Sequence, residues 1–222
     1  MIQPFTPGTE IASGIWENGS QWRTTFEVKF PPELQANPRL CSAAGVVVLY
    51  HTSDSLLPDV IMTRRDIGRH GKQPEFEIPF GHRDPIDPAN PKGELEPIPV
   101  AAIRETDEEA GVILSESELT LFAICRIINP PGSNYKTPLS FMAYYYARAE
   151  RWGIPSEAGH TSKHMTLGKM GELARLSPEE AAKEQLYRVN PTDAKFVRVA
   201  ALTCLASWVD EAIGPLAKPG TD

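Results

Sequence analysis

The sequence predicts a mixed α/β sandwich, and three observations lead to it. "SAAGVVVLY" (42 to 50) is a continuous apolar, β-branched run, the pattern of a strand covered on both faces. Strand-like runs lie on both sides of a helical segment, "PVAAIRETDEEAGVIL" (99 to 114), which implies helix packed on sheet. A last helix, 193 to 213, carries Val197, Ala201, Cys204, Leu205, Trp208 and Ala212 as one apolar stripe, enough for a second helical layer. The chain has 222 residues, 41% of them apolar, which suffices for a full core.

The elements follow in order. Residues 1–40 are rich in Pro, Gly and Trp and contain one alternating stretch, "QWRTTFEVKF" (21 to 30), that suits a strand of an N-terminal hairpin before "PPELQANP" breaks the pattern. They read as an extension packed on a domain of residues 41–222. After the 42–50 strand and the turn "TSDSLLPD" comes "DVIMTRR" (59 to 65). Beyond the acidic helix come "LTLFAICRII" (119 to 128) and "LSFMAYYYARA" (139 to 149), joined by "NPPGSNYKTP". Ser177, Pro178 and Glu180 fit N-cap, first helical position and capping-box acid, so a helix begins at 178.

Charge and cysteine usage narrow the function classes. Twenty-two basic against 29 acidic residues give a net charge of -7, which argues against a nucleic-acid polymer as partner. A small anionic ligand stays open if a local basic patch or a metal ion supplies positive charge. Cys41, Cys125 and Cys204 are odd in number and far apart, so they read as reduced core thiols. The start lacks the basic and apolar regions of a signal peptide, and "AAGVVVLY" is too short to span a bilayer. A cytoplasmic protein with no membrane partner is expected.

The helical segment holds four acids among five consecutive positions: Glu105, Asp107, Glu108 and Glu109. At about 100° per residue, Glu109 lies about 40° to one side of Glu105 and Glu108 about 60° to the other. Ala102, Ile103, Thr106 and Ala110 are expected on the opposing, core-facing arc. Three carboxylates on one face repel one another, and they sit toward the C-terminal end, where the macrodipole disfavours anions. A divalent cation would turn that repulsion into coordination, whereas Arg104 pairing to Glu108 on a solvated face is the plainer alternative.

"RETDEEAGV" (104 to 112) resembles the second half of the Nudix box, G-x5-E-x7-R-E-U-x-E-E-x-G-U with U aliphatic. Seven residues separate Arg104 from Glu96, which matches the box's earlier glutamate. "LGKMGEL" (167 to 173), placed before a helix, and the strand order also resemble the family, over roughly residues 42 to 176. Two departures stand out. Thr106 replaces an aliphatic residue, and Gly81 in "EIPFGHRD" lies fourteen residues before Glu96 instead of five, leaving "HRDPIDPANPKGELEP" as an insertion. Glu94 competes with Glu96 for the family position.

The resemblance implies a Nudix-type α/β/α sandwich with a mixed sheet, an N-terminal β-hairpin extension and a C-terminal helix. It also implies hydrolysis of a nucleoside diphosphate linked to another moiety, of the ADP-ribose, dinucleotide or coenzyme A type, with Mg²⁺ or Mn²⁺ as cofactor. Oxygen ligands suit such hard cations. Glu105 and Glu109 are the expected principal ligands, with Glu108 as ligand or base, Glu96 as a further ligand, and Arg104 orienting a glutamate. Relatives often add an acid from a later loop; Glu150, Glu157 and Glu172 are candidates, Glu157 preferred, while His164 stands near where many relatives have a glutamate. Substrate phosphates are expected at Arg64 or Arg65, only one of which can point to the site by strand alternation, and at Lys72 and Arg83. Arg69 and His70 share the basic stretch of Lys72, which equally suits a solubilising turn.

"IMTRRD" and "RHGKQPEFEIPFGHRD" are faintly similar to the segment before the box in coenzyme A diphosphatase relatives. Tyr144, Tyr145 and Tyr146 suit a strand core or a base-stacking role. The alternative to a hydrolase is a non-catalytic Nudix-fold module binding a nucleotide metabolite or a protein; an isomerase on the same fold ranks last. The N-terminal forty residues either join a homodimer interface, as in some Nudix relatives, or cover one face of the sheet.

Overall fold

A strand apolar at every position needs a layer on each face, and the computed structural model supplies both. It describes residues 5–50, 57–66, 74–131, 137–184 and 186–213, with side chains to 207. The strands are β1 (Glu10–Ile15), β2 (Gln21–Phe26), β3 (Cys41–Tyr50), β4 (Asp59–Arg65), β5 (Phe80–His82), β6 (Thr120–Ile128), β7 (Leu139–Ala149) and β8 (His160–Thr166). The helices are α1 (Pro32–Ala36), α2 (Ile98–Ala110), α3 (Leu167–Leu173), α4 (Pro178–Lys183) and α5 (Pro191–Ile213). One eight-stranded mixed sheet runs β1-β2-β6-β7-β3-β4-β8, with β5 added to β3.

β3 lies parallel to β7 and antiparallel to β4, at the centre of the sheet. Its side chains divide by parity: Val46 and Val48 join the core under α2, while Val47 and Leu49 join the core under α5. On α5, Phe196, Val197, Ala200, Ala201 and Cys204 pack against the sheet, so of the expected stripe Val197, Ala201 and Cys204 are core residues while Leu205 is only partly buried. Tyr144, Tyr145 and Tyr146 are all core residues, Tyr144 stacked on Phe80 and tilted against Phe196. All three cysteines are buried thiols outside any disulfide.

Two expectations need correction, and two N-terminal segments gain detail. Residues 160–166 read as loop but form β8, an edge strand paired only to β4, so its polar residues need no apolar alternation. "LGKMGEL" is itself a helix, N-capped by the Thr166 hydroxyl, rather than a lead into one. "PPELQANP" holds the short helix α1 around buried Leu34. The N-terminal residues both extend the sheet, through β2–β6 pairing, and cover part of its α2-side face, where Leu34 joins the core with Phe30 and Leu40 packed against it. Among the described residues no helix is long and apolar enough to cross a membrane.

The insertion before α2 is folded, not slack. Ile86 N donates to Glu94 O, and Glu96 N donates to Asp84 O, which closes residues 84–96 into a small antiparallel excursion. Beneath it lies Arg83, 9% exposed, whose Nε donates to Glu96 O and whose Nη1 donates to Pro38 O and Cys41 O at 2.7 to 3.0 Å. Nη2 adds Leu95 O. Arg83 was expected on substrate phosphates; its guanidinium is instead directed to these carbonyls, which burial alone would leave unsatisfied.

Removing Arg83 orphans several carbonyls at once. Arg83→Ala should lower unfolding free energy by about 2 to 4 kcal/mol, read as a lower urea midpoint at unchanged m-value. A change under about 0.5 kcal/mol would contradict this anchoring role.

Candidate active site

A helix ends with orphan carbonyls, and at α2 these draw in the rest of the site. Gly111 caps the helix in the left-handed region (φ 68°). A Cβ there would lie 2.7 Å from the backbone of Gly153 and Ile154, so the chain leaving β7 passes directly over the cap. Three carbonyls find partners: Glu109 O accepts from Thr63 Oγ1 at 2.7 Å, Gly111 O from Gly153 N at 2.8 Å, and Glu108 O from Glu157 N at 2.9 Å. The last bond sets Glu157 beside the acidic helix.

The acidic and core-facing arcs are not opposed as expected: at about 100° per residue Ala101 and Ala102 fall within about 60° of Glu105, with Ala102 beside Glu109. Glu105 and Glu109 are buried together with Ala101, Ala102, Thr106 and Ala110, on the inward side of the helix rather than opposite it. β5 and the residues before it wrap one flank of α2, so the buried arc is wider than contact with a flat sheet alone would make it. Gly81 lies so close that an added Cβ would fall 1.9 Å from Glu105 Cδ. Only glycine leaves room there for the carboxylate.

Arg104 organises three glutamates. Its Nη1 donates to Glu105 Oε1 (2.9 Å) and Glu108 Oε2 (2.7 Å), and its Nη2 donates to Glu96 Oε1 (2.7 Å) and His82 O (2.8 Å). Glu96 thus faces Arg104 and the Asp84 N–H, not a cation position, and it is Glu96 rather than Glu94 that meets the arginine. Burial raises the Glu105 carboxyl above the ordinary carboxylate value, opposed by Arg104.

Glu109 has different partners. Phe80 N donates to Oε2 at 3.0 Å, and Arg65 Nη2 donates to Oε1 at 3.1 Å. His160 Nε2 stands 3.4 Å from the same Oε1, and His160 Nδ1 stands 3.1 Å from Glu157 Oε2. Among the described residues, Glu109, Glu157 and His160 form a group whose ligand atoms lie within 4.8 Å of one another. Burial pushes the Glu109 carboxyl up to about 7, against the pull of the Phe80 N–H and Arg65.

Strand parity decides which arginine arrives. Odd-numbered Asp59, Ile61, Thr63 and Arg65 of β4 share the α2 face, and across the register Arg65 pairs with His160. Arg64 points to the other face, its guanidinium 4.0 Å from the Tyr187 ring and 5.8 Å from Phe76. Lys72, with Arg69 and His70, lies outside the described residues. His164 is on the α2 face but two pleat repeats further along, with Nδ1 3.0 Å from Asp59 Oδ2 and its ring against Trp152. Glu172 pairs with Lys169, and Glu150 lines a separate cleft of about 830 Å³ beside Trp152 and Arg148.

Sequence reasoning missed His160. It lies three residues after Glu157 in a segment read as loop, and only the β4–β8 pairing brings it to Glu109.

No family model and no curated protein sequence matches the chain. Solved structures do. The Bacillus subtilis pyrophosphohydrolase BsRppH aligns with a TM-score of 0.52 at 12% identity, covering 88% of this chain and 97% of that one. The Nudix hydrolase RenU of M. smegmatis aligns at 0.46 and 14%, covering 93% and 99%. The NUDIX domain of Shewanella oneidensis NrtR, solved with ADP ribose, aligns at 0.44 and 14%, covering 78% and 97%. At such identity the likeness establishes fold alone, a mixed α/β sandwich shared with BsRppH and consistent with the Nudix-type sandwich expected from the box.

The Glu109 shift has a consequence for stability. Its folded value lies above the ordinary 4.5, so folding favours the protonated form: that contribution is complete below about pH 4.5 and is lost as pH rises through about 7. In chelator, Glu109→Gln should therefore melt about 5 °C or more above the unsubstituted protein near pH 8 and match it within about a degree near pH 4.5. Equal melting at both pH values would show the carboxyl to be unperturbed.

Proposed function

We propose that this chain is a divalent-metal-dependent hydrolase that cleaves the diphosphate bond of a nucleoside diphosphate linked to another moiety, of the ADP-ribose, dinucleotide or coenzyme A type. The observation that carries the reading is the convergence of Glu109, Glu157 and His160 beside a Glu105 held by Arg104 under Gly81. A solvated charged face would need none of this burial. Two carboxylates and an imidazole suit Mn²⁺, and the carboxylates alone suit Mg²⁺, so the residues present fit such an ion.

When bound, the ion would neutralise diphosphate charge and acidify a water. The chain's own residues supply the remainder. Glu109 and Glu157 would hold the cation, and the Phe80 N–H and Arg65 fix the Glu109 carboxylate in one orientation. Arg104 takes Glu105 Oε1, which orients the carboxylate, and the raised proton affinity of that buried group suits it to accept a proton from the attacking water. Arg65 keeps 39% of its side chain exposed, so its remaining N–H groups can meet a substrate phosphate in a bidentate contact. Glu108 is half-exposed and paired to Arg104, a role of support rather than chemistry.

The test is hydrolysis of a panel containing ADP-ribose, NADH, coenzyme A, dinucleoside polyphosphates and nucleoside triphosphates, with Mg²⁺ or Mn²⁺. At least one member should turn over, and Glu109→Gln should reduce that turnover by at least about 10²-fold. No turnover, or turnover unchanged in the variant, would leave a binding module as the better reading.

Gly81→Ala probes the same site from the opposite wall. The new methyl displaces the end of a flexible side chain, not backbone, so the melting temperature should change by only a few degrees. Turnover should nevertheless fall about 10- to 100-fold, because Glu105 loses its position.

A further inference from the structure

His160 is an unusual neighbour for two buried-site carboxylates. Its side chain is 2% exposed, it lies on the edge strand β8, and it is held in the site by backbone pairing to Arg65 on one side. One ring nitrogen faces each acid: Nε2 is 3.4 Å from Glu109 Oε1 and Nδ1 is 3.1 Å from Glu157 Oε2. Either neutral tautomer therefore presents one lone pair toward a carboxylate-lined space and one N–H toward the opposite carboxylate. That is the pairing by which ligating histidines are oriented, with the second nitrogen donating to an acid.

We propose that His160 is a nitrogen ligand of the divalent-cation site and that it makes the site favour a first-row transition ion such as Mn²⁺ over Mg²⁺. The inference deepens the metal-dependent reading above and rests on it. Its physical basis is ligand type. Mg²⁺ demands oxygen donors and keeps its waters, so an imidazole gains it little, whereas transition ions gain from a nitrogen donor. A site of carboxylates alone would discriminate weakly; exchanging one oxygen position for imidazole adds the bias. A purely electrostatic role, with a protonated ring neutralising Glu109 and Glu157, would instead repel every cation alike.

The probes are Mn²⁺ and Mg²⁺ themselves, bound to the full chain without substrate. Calorimetry should give Mn²⁺ binding that weakens about 10- to 100-fold in His160→Ala, while Mg²⁺ binding changes less than about threefold. His160→Asn, which returns an oxygen donor at similar reach, should also lower the Mn²⁺-to-Mg²⁺ affinity ratio by at least about tenfold, keeping the proposal testable if the alanine variant folds poorly. Pulsed electron paramagnetic resonance of the Mn²⁺ form should show ¹⁴N modulation that disappears in both variants. Bound Mn²⁺ without ¹⁴N modulation, or equal effects on the two ions, would overturn the proposal. If Glu109→Gln left Mn²⁺ affinity unchanged, the metal-dependent reading itself would fail, which separates the two outcomes.

Discussion

Two carboxylates buried near the C-terminal end of a helix impose the demand around which this molecule is organised. Glu105 and Glu109 lie where both burial and the helix dipole disfavour negative charge. Such groups persist only where the surroundings supply donors, and here the donors come from three separate segments, Arg104 within α2, the Phe80 N–H at the start of β5 and Arg65 at the end of β4, with the His160 ring at the start of β8 beside them. A site assembled this way ties together strands that are far apart in the chain, so its geometry inherits the rigidity of the sheet.

The backbone end of the same helix makes a parallel demand. Its last carbonyls are met by Thr63, Gly153 and Glu157. The bond from the Glu157 amide serves two purposes at once, since it caps the helix and delivers a third acid to the pair already there. Helix termination and site construction are thus one event, and the left-handed Gly111 is the hinge of both, because any side chain at that position would strike the segment that carries Glu157. The insertion is handled with similar economy. Buried Arg83 ties residues 95 and 96 to the chain before β3, so Glu96 returns to Arg104 despite the added length.

Much of this was legible in the linear chain. The β-branched run of β3, the apolar stripe of α5 and the capping box at Ser177 are local patterns that tertiary context had no reason to overrule. The spacing Glu96-x7-Arg104 and the run "RETDEEAGV" pointed to the right helix and, through the resemblance they carry, to the right fold. Strand alternation requires that only one of Arg64 and Arg65 face α2, and in the sheet that one is Arg65. What failed was the polar edge strand β8, which has no apolar periodicity because one of its neighbours is solvent, and the placing of Ala102 on an arc opposite the acids, since at about 100° per residue it lies beside Glu109.

By itself, then, the sequence determined which segments are strand and helix where burial is two-layered, and which helix carries the concentrated acids, since those follow from periodicity and spacing along one stretch of chain. Tertiary structure alone decided that Arg65 and not Arg64 meets Glu109, that Arg83 is an anchor, and that Glu157 and His160 complete the cluster. Each of those outcomes depends on strand register or on a backbone bond between residues tens of positions apart. Register and long-range backbone pairing are properties of the closed sheet, and no local pattern of side chains encodes them.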